Sequence, residues 1–175
     1  DPRQPKLLPG GIDREAWAEG KQKTRVFAAS ENMLALLTEQ IIDVYRYAAQ
    51  KGLAAKKVAT LDVPEGSGRH VFGTFHKGLL HVIDGKHGPG QYSLSVDSPA
   101  SRWFVFQVDK EEAQQVGLYE HPWPSAFGNI TIVDDTAYVS DYNYGMWTFD
   151  LSSSRTPKRI GGAVTAGESD ALWID

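Results

Sequence analysis

Short β-type runs recur along this 175-residue chain at a nearly constant offset, which narrows the available folds more than any other feature. The segment from Val26-Phe27-Ala28 to Leu36-Leu37 can be laid on Val71-Phe72-Gly73 through His81-Val82, 45 residues on. A third copy, Ile130-Thr131-Ile132 through Val139-Ser140, follows after about 59 more. The wider second interval is accounted for by an insertion, Gly85–Ser101, rich in Gly, Ser and Pro and read as a long loop. An outer echo frames the chain. Arg3-Gln4-Pro5-Lys6 returns as Arg155-Thr156-Pro157-Lys158, each followed by a Gly pair and later a Trp, Trp17 and Trp173.

Each unit reads as four short strands. The third is clearest: Asn129–Val133, Thr136–Ser140, Met146–Asp150 and Pro157–Val164, separated by Asp134-Asp135, Tyr142–Gly145 and Ser152–Arg155. Such strands with short turns match antiparallel hairpin spacing. The second unit gives Val71–Phe75, Leu79–Ile83, Arg102–Val108 and Gln114–Tyr119. The first gives Arg25–Ala29, Met33–Thr38, Ile41–Tyr47 and Lys57–Val63. Residues 31–50 also carry a helical pattern, with Leu34, Leu37, Ile41, Tyr45 and Ala48 at helical spacing, Ser30 as a cap and Gly52 as a stop. The repeat register and the β-branched pair Ile41-Ile42 argue for strands there. Repeated four-stranded units of this length are the signature of a β-propeller. A blade buries both faces against its neighbours, and the runs Trp103–Phe106 and Met146–Phe149 suit such inner strands.

Residues 129–164 resemble the LVIVD repeat. Ala137-Tyr138-Val139-Ser140-Asp141, Gly145-Met146 to Asp150, and Pro157 to Gly161 match its pattern. The likeness is weaker over 69–121 and weakest over 25–64. It implies a propeller fold in a secreted, periplasmic or cell-surface bacterial protein, and it brings no catalytic residues.

The expected fold is therefore all-β, built of four-stranded antiparallel propeller blades. Residues 1–24 would hold the last strand of a preceding blade and a connector. Residues 25–64 would be blade 1, 65–121 blade 2 with the insertion 85–101, 122–164 blade 3, and 165–175 the first strand of a following blade. Closed propellers typically have 4–8 blades. The ring within this chain is thus expected to be incomplete, and completed by another chain or by a missing part of the same polypeptide. The start at Asp1 without Met fits a chain that is processed or part of something longer.

Composition removes whole classes of function. Cys is absent, so disulfides, thiolate metal sites, iron–sulfur clusters and Cys nucleophiles are excluded. The net charge is −4, which argues against a nucleic-acid binder. No apolar run approaches the ~18 residues of a spanning helix, and no signal peptide is visible. The charge is uneven: residues 130–175 carry only Arg155, Lys158 and Arg159 as bases, against seven acids.

The five histidines are His70, His76, His81, His87 and His121, and none sits in a metal-binding motif. Loops joining strand four to the next strand one, and strand two to strand three, emerge on one face of a propeller. Arg69, His70, His121, Trp123 and Phe127 are assigned to the first kind of loop, and His87, Tyr142 and Tyr144 to the second. Arg69, Trp123, Phe127, Tyr142 and Tyr144 are the candidate binding residues. His70, His87 and His121 are the candidate ligands of a divalent metal. His76 belongs to the opposite turn and His81 to a strand. The glycines of the insertion lead into a β-type run rather than a helix, so a phosphate cradle is not expected. Asp134-Asp135 reads as a solvated turn. Two functions follow as expectations: a binding and assembly module, or a metal-dependent propeller enzyme, oxidoreductase or hydrolase, with a His-ligated ion near the axis.

Overall fold

In a computed structural model, residues 25–38, 41–48, 53–63, 70–85, 100–109, 112–153 and 155–165 are described. They form twelve strands in three four-stranded antiparallel sheets, each in simple sequence order. The first blade is β1 (Arg25–Ala29), β2 (Met33–Leu37), β3 (Ile41–Ala48) and β4 (Leu53–Asp62). The second is β5 (His70–His76), β6 (Leu79–Gly85), β7 (Arg102–Val108) and β8 (Ala113–Glu120). The third is β9 (Phe127–Val133), β10 (Thr136–Asp141), β11 (Gly145–Asp150) and β12 (Lys158–Ala163). The chain is all-β and propeller-like over these residues, and the helical pattern of 31–50 resolves into β2 and β3. No helix among them is long and apolar enough to cross a membrane.

Blade 2 shows why its sequence is apolar at consecutive positions. Every residue of β6 is buried. Side chains alternate across a strand, so each blade face receives every second residue. Leu80 and Val82, with Phe104, Phe106 and Val108, pack against Ala35, Ile42 and Val44 of blade 1. Leu79 and Ile83, with Trp103 and Val105, pack against Ile130, Ala137, Val139 and Phe149 of blade 3. The run Trp103–Phe106 thus serves two cores at once.

The first strands of the blades lie innermost, with β1 against β5 and β5 against β9. A Cβ on Gly73 would come within 2.3 Å of the Phe27 ring, so the bare backbone of β5 is what lets β1 pack this closely. No comparable contact joins β9 to β1 among the described residues, so the three blades form an open arc. Turn chemistry sets the hairpins. Lys77 and Gly78 both have positive φ, 47° and 78°, as the tight turn between β5 and β6 requires. Asp134 takes φ 52° in the β9–β10 turn, a conformation Asp tolerates.

Candidate functional site

The seam between blades 2 and 3 gathers the polar and aromatic side chains that neither core absorbs. The connection from β8 to β9 is pinned beneath the start of β7. The His121 N–H donates to the Ser101 carbonyl at 2.9 Å, and the Ser101 N–H to Ser125 Oγ at 3.0 Å. Ser101 Oγ donates to the Ser125 carbonyl at 2.9 Å and accepts from the Phe127 N–H at 3.0 Å. Ser101 and Ser125 are buried, so these bonds satisfy groups that water cannot reach. This fixes His121 and Trp123 at the end of blade 2.

Blade 3 supplies the other wall. Asp141 ends β10 and is buried, with Oδ2 accepting from Trp147 Nε1 at 3.0 Å. Its Oδ1 accepts from the N–H groups of Asn143, at 3.0 Å, and Ala126, at 3.4 Å. One carboxylate thus shapes the β10–β11 turn, ties it to the preceding connection and orients the Trp147 indole. Trp147 lies opposite Gly162 in the ladder, where an added Cβ would meet its ring at 2.3 Å. The indole can lie across β12 only because residue 162 has no side chain.

Arg159 of β12 stacks over both indoles, its Cζ 4.7 Å from the Trp123 ring centroid and 5.1 Å from that of Trp147. Such cation–π contacts are worth about 0.5–2 kcal/mol each. The two indoles are 5.9 Å apart, and Tyr144 flanks Trp147 at 6.2 Å. His121 sits behind them, 4.6 Å from Trp123 and 5.3 Å from both Phe127 and Trp147. It is only 2% exposed. Its Nδ1 lies 3.2 Å from the Tyr119 hydroxyl, and its buried Nε2 has no hydrogen-bond partner among the described residues. Burial lowers its pKa to about 4; Asp141 opposes that shift and Arg159 adds to it. Burial raises the Tyr119 pKa, with Arg159 opposing.

Three further polar groupings lie elsewhere in the second and third blades. His81 is buried in β6 and accepts from Trp103 Nε1 through Nδ1 at 3.2 Å. Burial, with a smaller contribution from His76, lowers its pKa to about 4. Asp84, fully buried, takes Arg102 Nη2 at 2.7 Å and Nε at 3.2 Å on Oδ2. On the opposite face the two turns meet. Asp135 lies 3.2 Å from His76 Nε2 and 2.5 Å from Lys77 Nζ, which holds its carboxyl below the usual range.

Of the residues singled out in the sequence, the fold brings His121, Trp123 and Tyr144 into one cluster. Tyr142 joins the same turn, its N–H donating to the Ala126 carbonyl at 3.0 Å. Phe127 is in β9 and fully buried in the core between blades 2 and 3, so it backs the cluster from within. Arg69 and His87 lie outside the described residues, and of His70 only the backbone, in β5, is described. Among the described residues no three His, Asp or Glu side chains are grouped to hold a metal ion. Sequence reasoning missed Tyr119, Asp141, Trp147 and Arg159. The available signals were the Gly161-Gly162 pair and the isolation of three bases in an acidic quarter of the chain.

No family model matches the chain, and no curated protein matches it. Among solved structures, the computationally designed Ika4 protein superposes with a TM-score of 0.58 at 12% identity, over 98% of this chain and 88% of its own. That likeness shows a shared propeller-type fold and nothing about activity. The exo-β-1,3-galactanase of Phanerochaete chrysosporium, solved with galactose, aligns over 83% of this chain and 39% of its own. Its TM-score of 0.43 at 12% identity is too low to bear on fold or function.

Proposed function

We propose that this chain is a propeller segment acting as a binding and assembly module, its open arc completed by further blades of the same build. Those blades come from another chain or from the rest of the same polypeptide. One contrast carries the reading. Blade 2 has a neighbour on each face and buries all of β6. Among the described residues, blade 3 has a packed neighbour on one face only. By strand parity its other face carries Thr131, Val133, Tyr138, Met146 and Thr148, none of them buried, beside the buried Ser140. A sheet face with apolar and aromatic side chains is stabilised by covering it. The LVIVD-like pattern of residues 129–164 supports a secreted, periplasmic or cell-surface setting as part of this proposal.

Sedimentation velocity across a concentration series tests it. The chain is expected to associate, and Tyr138→Glu with Met146→Glu on the open face is expected to return it to a monomer with unchanged circular dichroism. A monodisperse 19.3 kDa species at every concentration, folded with its blade 3 face uncovered, shows that the arc needs no further blade and overturns the proposal.

A further inference from the structure

The three bases of residues 130–175 lie within five residues of one another at one end of β12. Arg155, Lys158 and Arg159 fall at and just before the start of β12, and all three are exposed. None makes an ion pair among the described residues, although Lys158 lies opposite Asp150 in the ladder. Arg159, stacked on the two indoles, is still exposed and can pair with an anionic ligand.

The strand beside them is an unusually bare edge. Among the described residues the sheet of blade 3 ends at β12, and all six of its residues are exposed. Ile160 is 58% exposed and Val164, one residue past the strand, 78%. The terminal strand of blade 2 is treated differently. On β8, the Arg155 backbone sits directly against Gly117, where an added Cβ would lie 1.6 Å from the Arg155 carbonyl oxygen. An uncovered edge presents a row of N–H and C=O groups ready to pair with another strand.

We infer that β12 is the docking edge for an extended acidic peptide segment of a partner protein, which adds to blade 3 as a fifth strand. Main-chain bonds to the edge supply affinity. Carboxylates of the partner meet Arg155, Lys158 and Arg159, and apolar side chains at alternate positions meet Ile160 and Val164. Charge complementarity sets the choice of partner and its approach. An acidic glycan fits less well, because Arg159 already covers ring faces of Trp123 and Trp147 on which a sugar would stack. The inference concerns the edge of blade 3 and does not depend on the fate of its open face.

The probe is a fluorescein-labelled peptide, acetyl-Glu-Asp-Glu-Thr-Val-Thr-Val-Thr-amide, titrated with the full chain and followed by anisotropy. A control peptide has Lys at its three acidic positions. The acidic peptide is expected to bind at least tenfold more tightly than the Lys peptide, and more weakly as salt is raised. Lys158→Glu and Arg155→Glu, both at exposed side chains, are each expected to weaken it at least tenfold with unchanged circular dichroism. Hydrogen exchange of the wild-type chain is expected to slow over residues 158–164 when the peptide is bound. Equal binding of the two peptides, or protection confined to another strand, overturns the inference. So does displacement by oligogalacturonate at lower concentration than by unlabelled peptide, which points to a carboxylated sugar. Loss of self-association in Lys158→Glu without peptide also overturns it, since a second copy would then occupy the edge.

Discussion

Acid should destabilise this protein well before its carboxylates titrate, because two imidazoles are folded in the neutral state. His81 and His121 have pKa values lowered to about 4, chiefly by burial. His81 faces Trp103 and His76, while Tyr119, Asp141 and Arg159 surround His121. In the unfolded chain each returns to about 6.5. The unfolded state therefore binds more protons between pH 6.5 and 4. Stability is full above the unfolded value and falls as pH drops toward the folded one. Over the whole window each imidazole accounts for at most ~3.4 kcal/mol, with a slope of about 1.2 kcal/mol per pH unit at its centre. Against a typical domain stability of about 5–15 kcal/mol, the pair is a large fraction. Urea unfolding at pH 7.5, 6.5, 5.5 and 4.5 reads the slope, with His121→Phe as comparison. That variant keeps a ring in the seam and loses the titrating group. The Tyr119 hydroxyl loses its partner, which lowers stability by an offset rather than a slope. The wild type is expected to lose stability steadily below pH 6.5, and the variant roughly half as steeply. Equal slopes, or a folded-state His121 titrating at pH 6 or above by NMR, would refute the reasoning.

Other substitutions test the packing around the seam. Gly117→Ala forces a Cβ to within 1.6 Å of the Arg155 carbonyl oxygen, so thermal denaturation should show a loss of ~2 kcal/mol or more; an unchanged midpoint would contradict the close approach. Asp141→Ala strips acceptors from Trp147 Nε1 and two backbone N–H groups, and urea unfolding should register a cost of about 2–4 kcal/mol. Phe149→Ala empties the core shared by blades 2 and 3, and is expected to cost roughly 3–5 kcal/mol by the same measurement.

The blade architecture was readable because blade packing leaves a local mark in the sequence. Trp103–Phe106 has to satisfy two cores, and nothing short of a fully buried strand needs four large apolar residues in a row. The helical pattern of 31–50 shows how the same mark can mislead. Leu34, Leu37, Ile41 and Tyr45 would share a helix face. In the sheet Leu34 pairs with Tyr45, so two residues that a helix would put on one face become cross-strand neighbours instead. Only the register of the repeat separates the two readings. Phe127 was assigned to a surface loop because β9 was read as starting at Asn129. It starts two residues earlier, which moves the side chain into the core.

The candidate site was legible only where topology alone decides. Loop membership places Trp123 and Tyr144 at one end of the propeller, whatever their neighbours. Arg159 reaches the site through a register shift that no local pattern announces. Trp147 pairs with Gly162 and Thr148 with Gly161, but Phe149 then pairs with Arg159, so Ile160 is the extra residue of a bulge. Had the ladder run straight, Ile160 would stand opposite Phe149, and every β12 side chain below that point would change faces. An apolar residue would then close the seam beside Trp147, and Arg159 would point away from it. The bulge reverses this: it sends Ile160 outward, 58% exposed, and turns the guanidinium onto the two indoles. One inserted residue thus gives blade 3 both its stacked cation and the exposed apolar contact at its edge.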